Sequence, residues 1–199
     1  MSFGVLYDEE VRWKIVMLFL ILGFWVVTQW PSNDLRVVFC DVGQGDAELI
    51  IWKSVQVLID GGPSGEGVMG CLADHVPFWD RKIEMVVNTH PQKDHLGGLD
   101  EVVGRYEIGL LVANGVNGTG KDFTRLVQAV RERGIKVHIP KAGEVFKLGK
   151  LEFKVLWPEE KEGNLAAVWY GKGDAKVLGE YSGDVNQISV VMRLSFGEF

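Results

Sequence analysis

Residues 89–98, Thr-His-Pro-Gln-Lys-Asp-His-Leu-Gly-Gly, decide how the rest of this sequence is interpreted, and we call them the histidine loop. They follow residues 83–88, a short run of apolar and β-branched residues that is typical of a buried strand. Two of the four histidines therefore lie beside Asp94 in a tight loop at a strand end, where Gly97 and Gly98 let the backbone turn closely. Imidazole and carboxylate groups are the usual ligands of zinc and manganese. The pattern predicts a metal-binding loop, rather than a solvated turn.

Three further stretches accompany the histidine loop, and together the four are similar to the motifs of a known family. They are Phe-Cys-Asp-Val-Gly-Gln-Gly-Asp-Ala at 39–47, Val-Leu-Ile-Asp-Gly-Gly-Pro at 57–63 and Asn-Gln-Ile-Ser-Val-Val-Met-Arg-Leu at 186–194. In this order they resemble the metallo-β-lactamase fold, in the form found in ComEC-type DNA-internalisation proteins. The resemblance runs from about residue 35 to the C-terminus and implies an α/β fold, the αββα sandwich.

The resemblance also implies that the domain, residues 35–199, is incomplete at its C-terminus. In the family, a further strand, a Thr-Gly-Asp with a metal-bridging carboxylate and a final histidine or its equivalent lie downstream of the 186–194 motif. The Ser-Gly-Asp at residues 182–184 precedes that motif, so it is not assigned as the bridging group. Residues 163–170 and 176–181 are expected to form a hairpin.

The family site uses two divalent ions, zinc or manganese, and the resemblance assigns their ligands here. His90 and position 92 would bind the first ion, while Asp94 and His95 would bind the second and serve catalysis through it. Position 92 is acidic in the ComEC-type branch but is Gln92 here, and its neutral carbonyl oxygen should bind the first ion more weakly. Two further carboxylates, Asp46 and Asp60, are expected to orient the ligand histidines, although hydrogen bonds that form turns explain them equally well.

The remaining histidines and the two cysteines carry no comparable pattern. His75 falls in a predicted helix and His138 in a predicted strand, and both are interpreted as packing or surface residues. Cys40 and Cys71 have no Cys-x-x-Cys spacing, so they are predicted to be small buried apolar residues without a disulfide.

The N-terminus predicts a membrane anchor. Residues 13–30 are apolar apart from Lys14 near one end, with a Trp at each boundary, and as a helix would span about 27 Å. A signal peptide is the rival interpretation, but no small-x-small cleavage site precedes Pro31. Residues 1–12 are expected to be disordered and 31–34 to be a linker. Arg12 just before the span and Lys14 at its start favour a single-pass protein with its domain outside the cytoplasm.

Net charge does not mark this chain as a general nucleic-acid binder. The formal charge is −6, although residues 121–154 carry nine Lys and Arg against four Asp and Glu. That basic stretch could steer a polyanion such as DNA, or could be an ordinary solvated surface.

Three functions are weighed on these grounds. The first is a membrane-anchored, metal-dependent phosphodiesterase or nuclease that acts on DNA during competence-type uptake. The second is a degenerate or truncated domain that binds nucleic acid or another partner without catalysis, as Gln92 suggests. The third, a β-lactamase-type amide hydrolase, fits less well because the Gly-Gln-Gly-Asp loop belongs to the other branch.

Overall fold

The computed structural model describes residues 9–118, 120–158 and 185–197. The chain divides into two compact units, Met1–Ser32 and Asn33–Phe199, which are described separately. The predicted hairpin at 163–170 and 176–181 and the Ser-Gly-Asp at 182–184 lie outside the described residues.

The N-terminal unit contains one long helix, α1 (Glu9–Thr28), in which no residue is buried. Its 20 residues have a mean hydropathy of 1.9 in the most apolar window, so by length and composition it could cross a membrane. It begins four residues before the predicted span, and residues 9–12, which were expected to be disordered, are helical. Glu9 and Glu10 favour an early start because acidic side chains stabilise the first turn of a helix, and Glu10 also pairs with Lys14 at 3.6 Å.

The second unit is an α/β domain whose elements follow the predicted order. In chain order they are β1 (Arg36–Phe39), β2 (Glu48–Trp52), β3 (Val55–Ile59), α2 (Gly65–His75), β4 (Lys82–Ile83), β5 (Met85–Asn88), α3 (Lys93–Leu96), α4 (Leu99–Arg105), β6 (Glu107–Ile108), β7 (Leu111–Ala113), α5 (Lys121–Glu132), β8 (Val137–His138), β9 (Val145–Leu148), β10 (Leu151–Trp157), a 3-10 turn (Val185–Ile188) and β11 (Val191–Phe196).

Two sheets form the centre of this domain. The larger has the strand order β1-β2-β3-β5-β7-β8, antiparallel from β1 to β3 and parallel from β3 to β8. The smaller sheet is antiparallel, with the order β11-β10-β9. A short parallel pair, β4 and β6, stands beside them.

Alternating side chains place the larger sheet between two apolar layers. In β2, Leu49 and Ile51 belong to a cluster with residues of α2, α4 and α5, whereas Ile50 packs with residues of β10. Both clusters consist of fully or nearly fully buried residues, so each face of the larger sheet is covered. The described residues thus form helix, sheet and sheet layers, which confirms the predicted α/β class with two packed sheets. The outer helix layer of an αββα sandwich is not among the elements of the described ranges.

The prediction for the two cysteines was wrong. Cys40 and Cys71 form a disulfide, with their Cα atoms 5.6 Å apart, and both residues are only half-buried. Cys40 follows β1, and α2 carries Cys71 across the helix-covered face of the same sheet. The pairing depends on how that helix lies on the sheet, which residue spacing in the sequence does not show.

Candidate metal centre

The site lies where two neighbouring parallel strands end. Ile59 of β3 is in register with Val87 of β5, so the residues that follow each strand meet at one edge of the sheet. Asp60 comes directly after β3, and its backbone N–H donates to the Val87 carbonyl at 2.7 Å. The histidine loop begins directly after β5.

Asp60 is the hydrogen-bonding centre of this edge, and only 2% of it is exposed. Its Oδ1 accepts the Thr89 backbone N–H at 2.8 Å and the Asn88 amide at 3.3 Å. Its Oδ2 accepts the Thr89 hydroxyl at 2.6 Å and lies 2.7 Å from His95 Nδ1. The predicted contact between Asp60 and a histidine is therefore present. It fixes the His95 ring with Nε2 directed away from Asp60.

His95 Nε2 faces two further carboxylates. Asp46 Oδ2 lies 3.7 Å away and Asp94 Oδ2 3.9 Å away, and 14% of the His95 side chain is exposed. Asp94 and His95 both lie on the short helix α3, which starts after Gln92. Asp46 was expected to orient a histidine, as Asp60 does, but it lies on the opposite nitrogen, where a metal ion would bind.

Asp46 reaches His95 because the loop at residues 40–47 packs tightly on the histidine loop. The Asp46 backbone N–H donates to the Asp94 carbonyl at 3.1 Å, and the Asp46 carbonyl accepts from Gly62 at 2.9 Å. Gly45 has a φ of +148°, and a Cβ on it would overlap the Asp94 carbonyl. Glycine is required there because the two loops touch through their backbones.

His90 and Gln92, in the first half of the histidine loop, contact each other rather than carboxylates. His90 is 3% exposed, and its ring centroid is 4.0 Å from that of His95. Its Nδ1 lies 3.0 Å from the Thr89 hydroxyl, and its Nε2 lies 3.0 Å from Gln92 Oε1. Both ring nitrogens of His90 thus already have a polar neighbour within the chain.

The side chains at this edge can be compared with the ligands and spacing that a divalent ion requires. Within the described ranges, no three or more His, Cys, Asp or Glu side chains are arranged to hold a metal ion as they stand. Two ligand atoms of a tetrahedral ion, each about 2.0–2.2 Å from it, lie about 3.4 Å apart. The separations of His95 Nε2 from Asp46 Oδ2 and Asp94 Oδ2, 3.7 and 3.9 Å, are only slightly longer, so each of these two pairs is close to the spacing that one ion requires. The His90 and Gln92 pair offers an imidazole and an uncharged amide, which fits a second ion poorly.

The C-terminal motif at 186–194 lies against the same loop. The Val190 backbone N–H donates to the Thr89 carbonyl at 2.9 Å, and Asn114, at the end of β7, donates to the Ile188 carbonyl at 3.3 Å. This motif contacts the backbone of the histidine loop through the main-chain hydrogen bond between Val190 and Thr89.

One acidic residue of this edge was missed in the sequence analysis. Glu48 opens β2, and partial burial together with the negative charges of Asp60 and Asp46 raises its pKa to about 7, although the charge of His95 acts in the opposite direction. The sequence feature that could have identified Glu48 was a single acidic residue at the start of the apolar run Leu-Ile-Ile-Trp.

The pKa of His95 is also raised. Burial lowers its pKa, but the hydrogen bond to Asp60 and the charges of Asp60, Asp94 and Asp46 outweigh burial and raise it above 6.5.

We expect Glu48→Gln to change how the stability of the metal-free protein depends on pH. The folded pKa of Glu48 is raised from 4.5 to about 7, so between these values the folded state holds more protons than the unfolded state. The contribution of Glu48 to the free energy of unfolding should therefore fall as the pH rises through this window. Urea unfolding with a chelator should give equal stabilities at pH 4 and a more stable Glu48→Gln variant at pH 8. If the two proteins differed in free energy of unfolding by the same amount at pH 4 and pH 8, the raised pKa of Glu48 would be contradicted.

The other histidines lie away from this group. His138 Nε2 is 2.6 Å from Glu144, with 41% of its side chain exposed, and its ring packs on Phe146. The backbone carbonyl of His75, at the end of α2, accepts from Arg36 at 3.0 Å. The structure brings together Asp46, Asp60, His90, Gln92, Asp94 and His95, whose roles in metal binding stay predictions.

Comparison with known proteins gives one sequence match and several structural ones. No family model matches the chain. The chain is 27% identical over 152 residues to ComE operon protein 3 of Bacillus subtilis (strain 168), a match that covers 64% of this chain and 19% of that protein. This chain thus spans about one fifth of the length of that curated relative.

The solved structures that match have low similarity. CmlA, a diiron β-hydroxylase from Streptomyces venezuelae, matches with a TM-score of 0.47 and 18% identity, over 84% of this chain and 29% of its own. A mutant metallo-β-lactamase from Cronobacter sakazakii matches with a TM-score of 0.44 and 16% identity, over 64% of this chain and 54% of its own. The resemblance of this chain to a known family therefore depends on the sequence match and on the four motifs. Together they confirm that this chain resembles the ComEC-type branch of metallo-β-lactamase-fold proteins.

Proposed function

We propose that this chain is a membrane-anchored, metal-dependent hydrolase that cleaves phosphodiester bonds, with DNA as its substrate during competence-type uptake. The observation that carries the proposal is the arrangement around His95. Asp60 holds Nδ1 at 2.7 Å, while Asp46 and Asp94 face Nε2 from 3.7 and 3.9 Å. This combination of one oriented imidazole and two carboxylates is the chemistry of a zinc or manganese site.

The residues of the chain would have distinct tasks in this reaction. His95, Asp94 and Asp46 would hold the ion, and Asp60 would keep the His95 ring in place. A bound divalent ion supplies a water of lowered pKa and a positive charge for a phosphoryl oxygen. No nucleophile of the protein itself is required. DNA as the substrate is proposed from the resemblance to ComEC-type proteins, supported by the basic stretch at 121–154.

Two features support anchoring with the domain outside the cytoplasm. Helix α1 is apolar and long enough to cross the bilayer. The Cys40–Cys71 disulfide fits an oxidising compartment, since cytosolic thiols are normally kept reduced. Arg12 and Lys14, near the N-terminal end of this helix, agree with this orientation.

A hydrolysis assay with the full chain in detergent tests the activity. With added manganese or zinc, we expect cleavage of bis(p-nitrophenyl) phosphate and of fluorescently labelled DNA, and loss of both with a chelator. Nitrocefin should remain intact, because an amide hydrolase is the alternative that fits least. Metal binding without any hydrolysis would contradict the proposal and favour a second function, a binding domain. The contact between His90 Nε2 and Gln92 Oε1 supports that second function, because it occupies a ligand position.

Gln92 provides a separate prediction. Gln92→Asp should strengthen binding of an ion near His90, because the affinity of a site for a hard divalent cation rises with the number of charged carboxylate ligands. Gln92→Asn is the matched control, since it has the same length as aspartate but no charge. Calorimetric titration with manganese should show tighter or additional binding for Gln92→Asp alone. Equal affinities for both variants would contradict the assignment of position 92 as a ligand.

A further inference from the structure

The hydrogen bonds around Thr89 determine which nitrogen of His90 carries its proton. Thr89 lies between the two histidine sites, since its hydroxyl is 2.6 Å from Asp60 Oδ2 and 3.0 Å from His90 Nδ1. A hydroxyl has a single proton to donate and two lone pairs that accept. Thr89 can therefore donate to only one of these neighbours.

The geometry assigns that proton to Asp60. Four donors surround the Asp60 carboxylate: the Thr89 backbone N–H, the Thr89 hydroxyl, the Asn88 amide and His95 Nδ1. If the hydroxyl pointed to His90 instead, two oxygen atoms with only lone pairs between them would lie 2.6 Å apart. Such a separation is normal for O–H···O⁻ but repulsive without a proton.

The Thr89 oxygen is then left as an acceptor, so His90 Nδ1 must donate to it. Its Nε2 consequently carries a lone pair, and so does Nε2 of His95, whose Nδ1–H donates to Asp60. The contact of 3.0 Å between His90 Nε2 and Gln92 is satisfied by turning the amide by 180°, which brings its NH₂ group to the imidazole. The half-exposed Gln92 can make this turn without moving the backbone.

We propose that Thr89 is a positioning residue that acts with Asp60 to fix the tautomers of both histidines, so that Nε2 of each is unprotonated and able to coordinate a divalent cation. The hydroxyl connects His90 to the same carboxylate oxygen that holds His95. The role of these tautomers in metal binding rests on the proposed metal-dependent function. The tautomer itself is a property of the metal-free protein.

The test combines two variants with two measurements on the full chain in detergent. Thr89→Val keeps the shape of threonine but removes the hydroxyl, and Thr89→Ser keeps the hydroxyl. Long-range ¹H–¹⁵N correlation spectra of histidine-labelled, chelator-treated protein at pH 9 report the protonated nitrogen of His90. We expect Nδ1–H in the wild type and in Thr89→Ser, and a shift towards Nε2–H in Thr89→Val. Manganese affinity should fall about 10- to 100-fold in Thr89→Val and be retained in Thr89→Ser.

Each outcome decides one of the two proposals. Nε2–H on His90 in the wild type overturns the inference, and this measurement needs no variant to fold. An unchanged tautomer in a folded Thr89→Val protein also overturns it. If the tautomers follow the expectation but none of the proteins binds manganese or zinc, the inference about Thr89 stands and the proposed hydrolase function fails.

Discussion

Replacement of His95 by alanine should reduce the affinity of this protein for manganese or zinc by more than about 100-fold and abolish metal-dependent hydrolysis. His95 is the imidazole at the point where Asp46 and Asp94 approach each other, and removing it leaves only carboxylates to hold an ion. Asp60 would also lose one of the two partners of its Oδ2, so the hydrogen bonding beneath the site would weaken. The measurement is metal content by mass spectrometry, with calorimetric titration of the full chain in detergent.

His138→Ala is the matched control for this experiment. It also removes a histidine, but one that is paired with Glu144 and packed on Phe146. We expect His138→Ala to keep wild-type metal content and activity. A near-stoichiometric metal content in folded His95→Ala would contradict the assignment of this residue as a ligand. It would also contradict the proposed site.

Removal of the disulfide by Cys40→Ser with Cys71→Ser should lower the free energy of unfolding of the domain by about 3–4 kcal/mol. The two cysteines are 31 residues apart, and a cross-link that closes a loop of this length restricts the unfolded chain by about that amount. The variant should therefore unfold at a clearly lower urea concentration, as followed by tryptophan fluorescence.

A reducing agent provides the internal control for the disulfide. It should shift the wild-type midpoint to that of the double variant and leave the double variant unchanged. Two alkylatable thiols in the folded, unreduced wild type, with no effect of the reducing agent on the midpoint, would show that the cysteines are not bonded. That result would also remove one support for a location outside the cytoplasm.

Local sequence was sufficient for much of the fold and for the centre of the site. The apolar strand before the histidine loop, the glycines that follow it and the spacing of His90, Asp94 and His95 are all local features. They could be interpreted because side-chain alternation and turn chemistry act over a few residues. The strand predicted at 83–88 is accordingly present as β4 and β5, separated at Glu84, and the predicted helix that contains His75 is α2.

The features that were missed depend on distances between remote parts of the chain. Cys40 and Cys71 pair because α2 crosses the sheet beside the end of β1. Glu48 has a raised pKa because β2 brings it near Asp46 and Asp60, and its charged form loses hydration there. Asp46 faces Nε2 of His95 because two backbones meet at Gly45.

The sequence by itself determined the α/β class, the strand before the histidine loop, the apolar N-terminal helix and the residues that could carry the chemistry. Only the tertiary structure decided which of these residues lie together. It set Asp60 and Thr89 between the two histidines, placed Asp46 opposite Asp60 on the His95 ring, and left Gln92 in contact with His90. The physical reason is that secondary structure follows from neighbours along the chain, whereas hydrogen-bond partners and perturbed pKa values follow from neighbours in space.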